Sequence, residues 1–184
     1  MRSTRYIILA LIVIVTAGAI TLIAGETTKK DNPEKKSEQE KIHWLSFDKG
    51  LTALEQDSTQ KHMFVDVTAS WCGWCKKMDR EAFSDPKVIS LVNTYFIPVK
   101  LWGDSDNELD INGYRISEKA LAKSEFNVSG FPTFWFVSPE KSRIGPLRGY
   151  QTSDNLMKAL TWIKDYKYDT TRVKSTEQKE QTKK

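Results

Sequence analysis

The sequence predicts an α/β domain, because short strand signals alternate with amphipathic helix signals along its middle. Two segments carry this reading. Met63 to Thr68 is a short run rich in apolar, β-branched and aromatic residues, the pattern of a buried strand. Asp85-Pro86 then supplies a helix N-cap and a proline suited to the first helical position. Val88, Leu91, Val92 and Tyr95 follow at i, i+3, i+4 and i+7, which makes one apolar helix face.

The remaining elements follow in order. Phe96 to Leu101 reads as a second strand. Asn112-Gly113, between Ile111 and Tyr114, reads as a hairpin turn. Ser117 is placed to cap a helix running to Phe126, with Ile116 and Leu121 as a hydrophobic staple. Phe134–Val137 and Gly145–Gly149 suggest a hairpin around Ser138-Pro139. Ser153 is placed to cap a last helix, with Leu156, Leu160 and Ile163 on one face.

The chain has 184 residues. Residues 1–5 form a basic n-region containing Arg2 and Arg5, and residues 6–24 are uncharged. The run Tyr6–Ala24 is near the length that spans a bilayer, and the arginines before it favour a cytoplasmic N-terminus. Two readings stay open: a retained transmembrane anchor, or a signal peptide with Ala17-Gly18-Ala19 as its cleavage site. Both place the domain in an exported compartment, such as a periplasm. Residues 25–41 read as a charged linker, 42–167 as the folded domain, and 168–184 as a charged, disordered tail. The net charge is +4, but the basic residues alternate with acids and form no compact patch, which argues against a nucleic-acid partner.

The two cysteines lie in Trp71-Cys72-Gly73-Trp74-Cys75. At a strand-to-helix junction this spacing places Cys72 in the helix's first turn, facing unpaired backbone N–H groups and the positive end of the helix dipole. Both favour the thiolate, which is the attacking species. Cys75 then lies one turn inside, expected to be less exposed and close enough to resolve a mixed disulfide. Competing readings fare worse. Structural zinc needs four ligands, and only His43 and His62 accompany the two cysteines. Haem attachment needs a histidine where Lys76 stands. A purely structural bridge closing so short a loop removes little chain entropy. The acidic stretch Asp104 to Asn112-Gly113 fails the calcium-loop pattern, because Lys119 stands six residues after the glycine where an acid is needed. No metal and no small cofactor is expected; the redox group is the Cys72–Cys75 pair itself.

A C-x-x-C near a β-α-β pattern is the thioredoxin-like redox motif, and the resemblance extends further. Phe64-Val65-Asp66-Val67 leading to Ala69-Ser70-Trp71-Cys72-Gly73 resembles the thioredoxin superfamily's strand into its active site. Val99-Lys100-Leu101 resembles its next central strand, Val128-Ser129-Gly130-Phe131-Pro132-Thr133 its cis-proline loop, and Gly149 its late glycine. The resemblance covers about residues 42–166 and implies a thioredoxin-like fold, a central mixed β-sheet flanked by helices. It departs from cytoplasmic thioredoxins at Trp74, where they carry proline, and in the longer segment Trp102–Lys119. With Phe83-Ser84-Asp85-Pro86, the chain looks closer to periplasmic thioredoxin-like thiol–disulfide reductases of the DsbD thiol-domain kind.

The resemblance implies roles. Cys72 attacks, Cys75 resolves, and Asp66 is a buried acid that shuttles a proton to Cys75, with Lys100 as its neighbour. Trp71, Gly73, Trp74, Phe131 and Pro132 form the substrate-binding rim, with Phe131–Pro132 in cis. Trp71 is read either as part of that rim or as packed inward. Implied partners are disulfide-bearing exported proteins and a membrane electron donor. An oxidase or isomerase is the alternative within the class, and a thioredoxin-fold binding or chaperone module the alternative outside it.

Overall fold

A computed structural model describes residues 40–170. Its elements are α1 (Phe47–Gln56), β1 (His62–Thr68), α2 (Gly73–Arg80), a 3-10 turn (Ala82–Ser84), α3 (Pro86–Tyr95), β2 (Phe96–Trp102), β3 (Glu108–Ile111), β4 (Tyr114–Ser117), α4 (Glu118–Ala120), a π-helical turn (Leu121–Glu125), β5 (Thr133–Val137), β6 (Arg143–Arg148) and α5 (Ser153–Lys164). The main sheet has the order β2-β1-β5-β6. β1 and β2 run parallel, while β5 is antiparallel to β1 and β6 to β5. This is the expected mixed sheet flanked by helices. β3 and β4 make a separate hairpin. The putdown of each strand follows from its pattern: all seven residues of β1 are buried, as a central strand with both faces covered requires.

Two apolar layers cover the sheet. On one face Phe64 stacks against Phe134 and Phe136, with ring centroids 5.8 and 5.6 Å away, and α3 and α5 add Val88, Val92, Leu156 and Leu160. On the other face Val65, Val67, Val99 and Leu101 pack with Phe47, Leu54, Leu121 and Phe126. The outer edge of β2 is covered by the segment before α1. Leu45 N–H donates to the Pro98 carbonyl at 2.9 Å, and Lys100 N–H donates to the Leu45 carbonyl at 2.9 Å. Covering an edge in this way removes a template for strand addition.

The local signals are partly redistributed. Asp85 caps α3 by accepting the Lys87 N–H. The buried face of α3 is Val88, Ile89 and Val92, whereas Tyr95 is about half exposed at the helix end. Ser117 caps α4 as expected, but that element is a single turn that widens into a π-turn, so the long helix to Phe126 does not form. The cap of α5 is Thr152, whose Oγ1 accepts the Asn155 N–H, and Ser153 is the first helical residue. Asn112 and Gly113 both take positive φ, 53° and 85°, as a tight hairpin turn demands. Past α5, Tyr168 packs on Trp162 and its hydroxyl lies 2.7 Å from Nε2 of the buried His62. The run Tyr6–Ala24 lies outside the described residues; within them, no helix is long and apolar enough to cross a membrane.

α1 carries Gly50 at its contact with β2. A Cβ there would lie 2.1 Å from Cγ2 of the buried Val99. The helix therefore approaches the sheet as closely as a bare backbone permits. Gly50→Val is expected to destabilise the domain by about 1–3 kcal/mol through overpacking, despite valine's better helix propensity. A urea titration of both proteins measures it; equal midpoints would refute the close approach.

Candidate functional site

β1 delivers the chain to the redox pair. After Thr68 the backbone turns, with Cys72 N–H donating to the Ala69 carbonyl at 3.1 Å. Cys72 is then the N-cap of α2, with extended backbone angles. Its Sγ accepts the Cys75 N–H at 3.1 Å, in the place a capping serine oxygen usually takes. Cys72 and Cys75 form a disulfide with Cα atoms 5.3 Å apart. Both cysteines are 4% exposed, so the expectation that Cys75 is the less exposed of the two does not hold. What separates them is position: Cys72 faces the free N–H groups at the helix start, and Cys75 lies inside α2.

The turn is held from outside by the segment after β2. Gly103 N–H donates to the Thr68 carbonyl at 2.8 Å. Asp104 Oδ2 accepts both the Ser70 N–H, at 2.9 Å, and the Ser70 hydroxyl. These Ser70 bonds hold the Asp104 carboxyl below its usual range, because they favour its charged form. A Cβ at Gly103 would meet the Phe131 ring at 2.5 Å, so that glycine makes room for the opposite wall of the site.

That wall is the loop before β5. The Phe131–Pro132 bond is cis. Phe131 packs on the cluster of Ala69, Cys72 and Cys75. The Pro132 carbonyl accepts the Gly149 N–H at 2.9 Å. Trp71 is 70% exposed and meets Phe131 edge-on at 5.6 Å, so it stands on the rim rather than packing inward. Trp74 is 57% exposed and leans on Tyr150 at 5.5 Å. Gly73 is exposed, with open space where a Cβ would stand.

A charge cluster joins β1, β2 and α2. Asp66, 2% exposed, is directly opposite Lys100 in the β1–β2 register. Lys100 Nζ lies 3.5 Å from Asp66 Oδ2 and 2.9 Å from Asp79 Oδ1, so one ammonium serves two carboxylates. It also sits over the Trp44 ring at 5.1 Å, a cation–π placement. Asp66 Oδ1 is buried without a hydrogen-bond partner. Burial pushes the Asp66 carboxyl up to about 7; Lys100 opposes that rise and Asp79 adds to it. Among the described residues, no group of three or more His, Cys, Asp or Glu is placed to hold a metal ion.

The sequence-predicted site residues thus fall into two groups. Cys72, Cys75, Trp71 and Phe131 come together, and Asp66 pairs with Lys100. Asp79, Asp104, Lys77, Glu81 and Tyr150 were not legible. Asp79 stands four residues after Cys75, on the next turn of the same helix, which is a spacing signal that was available. Lys77 and Glu81 are likewise close in sequence, whereas the Asp104 and Tyr150 contacts join segments far apart.

The thioredoxin-like domain family matches residues 52–164. The chain belongs to this family. It is 30% identical over 122 residues to a protein named thiol:disulfide interchange protein DsbD from Campylobacter jejuni (strain RM1221), a match covering 64% of this chain and 20% of the relative. A protein of the same name from Haemophilus influenzae (strain PittEE) is 28% identical over 142 residues, covering 73% of this chain and 23% of the relative. The match with these relatives spans about a fifth of their length. A thioredoxin from Thermus thermophilus superposes with a TM-score of 0.55 at 22% identity, covering 67% of this chain and 87% of that one, which shows the shared fold.

The buried carboxylate has a measurable consequence. A free aspartate titrates near 3.8, whereas folded Asp66 titrates near 7. Between these values the unfolded chain has released the proton that the folded chain retains. Stability contributed by this group is therefore complete below about pH 4 and is lost as pH rises toward 7. Asp66→Asn removes that loss. Denaturant titrations from pH 4 to 8 should show the Asn variant gaining on the parent by up to about 1.4 kcal/mol per pH unit between 4 and 7, then levelling. A difference independent of pH would refute the raised titration.

Proposed function

We propose that this chain is an exported thiol–disulfide oxidoreductase that reduces disulfides of protein partners through Cys72 and Cys75. The single observation that carries the reading is the Cys72–Cys75 disulfide, with Cys72 as the sulfur cap of α2. A thiolate at that position keeps the Cys75 N–H donor and the helix dipole, so it is stabilised as the nucleophile.

The exchange runs in two displacements. The Cys72 thiolate attacks one sulfur of a partner disulfide, and the partner's other sulfur leaves as a thiolate. Cys75, once deprotonated, attacks Cys72 Sγ, which releases the second partner thiolate and closes the Cys72–Cys75 disulfide. Two electrons pass to the partner, and two protons follow. Asp66 titrates near 7 and is the group best matched to take the Cys75 proton near neutral pH. Lys100, held by Asp79 on its other side, sets how readily Asp66 ionises. A dithiol donor must then reduce the pair again. The similarity to proteins named for thiol:disulfide interchange supports exchange with other dithiol and disulfide partners, and in this proposal the donor is a membrane electron carrier and the setting a periplasm. The uncharged run Tyr6–Ala24 supports attachment to, or export across, the cytoplasmic membrane.

Cys72→Ser is expected to abolish exchange. Cys75→Ser is expected to leave attack intact and accumulate covalent partner complexes, which non-reducing gels and mass spectrometry would reveal. A reduction potential near about −270 mV supports the reductase direction, while one near about −120 mV makes the protein an oxidant. If neither substitution changes exchange with any exported protein, the chain is a binding module on a thioredoxin fold.

A further inference from the structure

Beside the disulfide, two residues of α2 and its C-cap converge on one residue of a distant loop. Trp74 and Lys77, spaced i and i+3, stand on one face of α2, and Glu81 is the C-cap just past its end. Tyr150 comes from the loop between β6 and α5. Its ring lies 5.5 Å from that of Trp74. Its hydroxyl donates to Glu81 Oε2. Lys77 Nζ sits over both rings, 5.3 Å from the Trp74 centroid and 4.8 Å from that of Tyr150, and 4.0 Å from Glu81 Oε1.

The loop that carries Tyr150 is itself tied to the site. Gly149 N–H donates to the Pro132 carbonyl at 2.9 Å, and Gln151 N–H donates to Met78 Sδ at 3.2 Å. Tyr150 therefore bridges the cysteine helix and the cis-proline loop. The result is two aromatic walls built on the residues next to the cysteines: Trp71 with Phe131, and Trp74 with Tyr150.

We propose that Tyr150, Lys77 and Glu81 are positioning residues that hold Trp74 as a specificity wall, so that the site selects partner segments with an apolar, preferably aromatic, residue beside the attacked cysteine and discriminates against a cationic one. This rests on the redox reading of Cys72 and Cys75. An exposed tryptophan standing alone loses side-chain freedom when a partner binds; a braced one has lost it beforehand. Two fixed aromatic walls offer ring faces and edges to an apolar side chain. Ring faces also attract cations, but at the Trp74–Tyr150 wall the Lys77 ammonium already occupies them and repels a second positive charge.

The test uses three synthetic peptides, each with an intramolecular disulfide and identical except for Phe, Gly or Lys beside the attacked cysteine. Their reduction by the full-length protein, recycled with dithiothreitol, gives kcat and KM. The parent should prefer Phe over Gly over Lys. Tyr150→Ala should cut the Phe-over-Gly preference about fivefold through KM, the size of a lost aromatic pair. Tyr150→Phe keeps the ring and loses only the bond to Glu81, so it should retain more of the preference than Ala. Lys77→Met should raise kcat/KM for the Lys peptide about threefold, the size of an exposed cation–π contact. That gain cannot come from a damaged fold. Equal kcat/KM for all three peptides in the parent, or ratios unmoved by both Tyr150→Ala and Lys77→Met, overturns the wall. Failure of the parent to reduce any of the peptides overturns the redox reading instead.

Discussion

The burial of β1 on both faces is the constraint from which the site follows. Every residue from His62 to Thr68 is buried, and the strand is paired on both sides, with β2 and β5. A strand in that position cannot shift by one residue without turning Phe64 and Val65 to the wrong layers. Its register therefore fixes two things at once. It sets Asp66 opposite Lys100, inside the protein, and it ends where the chain must turn into α2 with Cys72 as cap. The acid and the sulfur are placed by the same ladder of backbone hydrogen bonds.

The acid is costly where it stands. A buried carboxylate with one oxygen unpartnered favours its neutral form, and a single lysine shared with Asp79 does not fully offset the desolvation. A hydrophobic residue at position 66 would sit on the same face of β1 as Phe64 without that penalty. The strain is local and coincides with the strand that feeds the cysteine pair. That coincidence is the pattern expected where a titration near neutral pH serves proton transfer.

What could be read in the sequence was what lies close together along the chain. The β1 pattern, the Asp85-Pro86 start of α3, the Asn112-Gly113 turn and the C-x-x-C motif are all local, and the structure forms each of them. α1 was not anticipated, because Gly50 weakens its helix signal; the reason for that glycine is Val99, forty-nine positions later. The helix after Ser117 fell short for the converse reason. Its local signals were sound, but Glu118 is buried and its Oε1 accepts the Trp102 N–H, so the turn is set by the sheet edge rather than by helix propensity. In the site, Cys72 and Cys75 were legible by spacing and Asp66 and Lys100 by resemblance. Tyr150 and Asp104 carry no local signal, since each acts on a residue more than thirty positions away.

The two sulfurs show how little separates a nucleophile from its resolving partner. In the disulfide they are equally shielded from solvent, so accessibility does not choose between them. Hydrogen bonding does. Cys72 stands before the first turn of α2, and its Sγ already receives the Cys75 N–H. When the bridge opens, charge left on Cys72 meets that donor and the helix dipole without rearrangement, whereas charge on Cys75 meets neither. Reduction therefore breaks the disulfide toward a Cys72 thiolate. In the proposed exchange Cys72 Sγ is then the sulfur that Cys75 attacks and the partner thiolate is the leaving group, so the cap selects the attacking sulfur while release of the partner falls to Cys75.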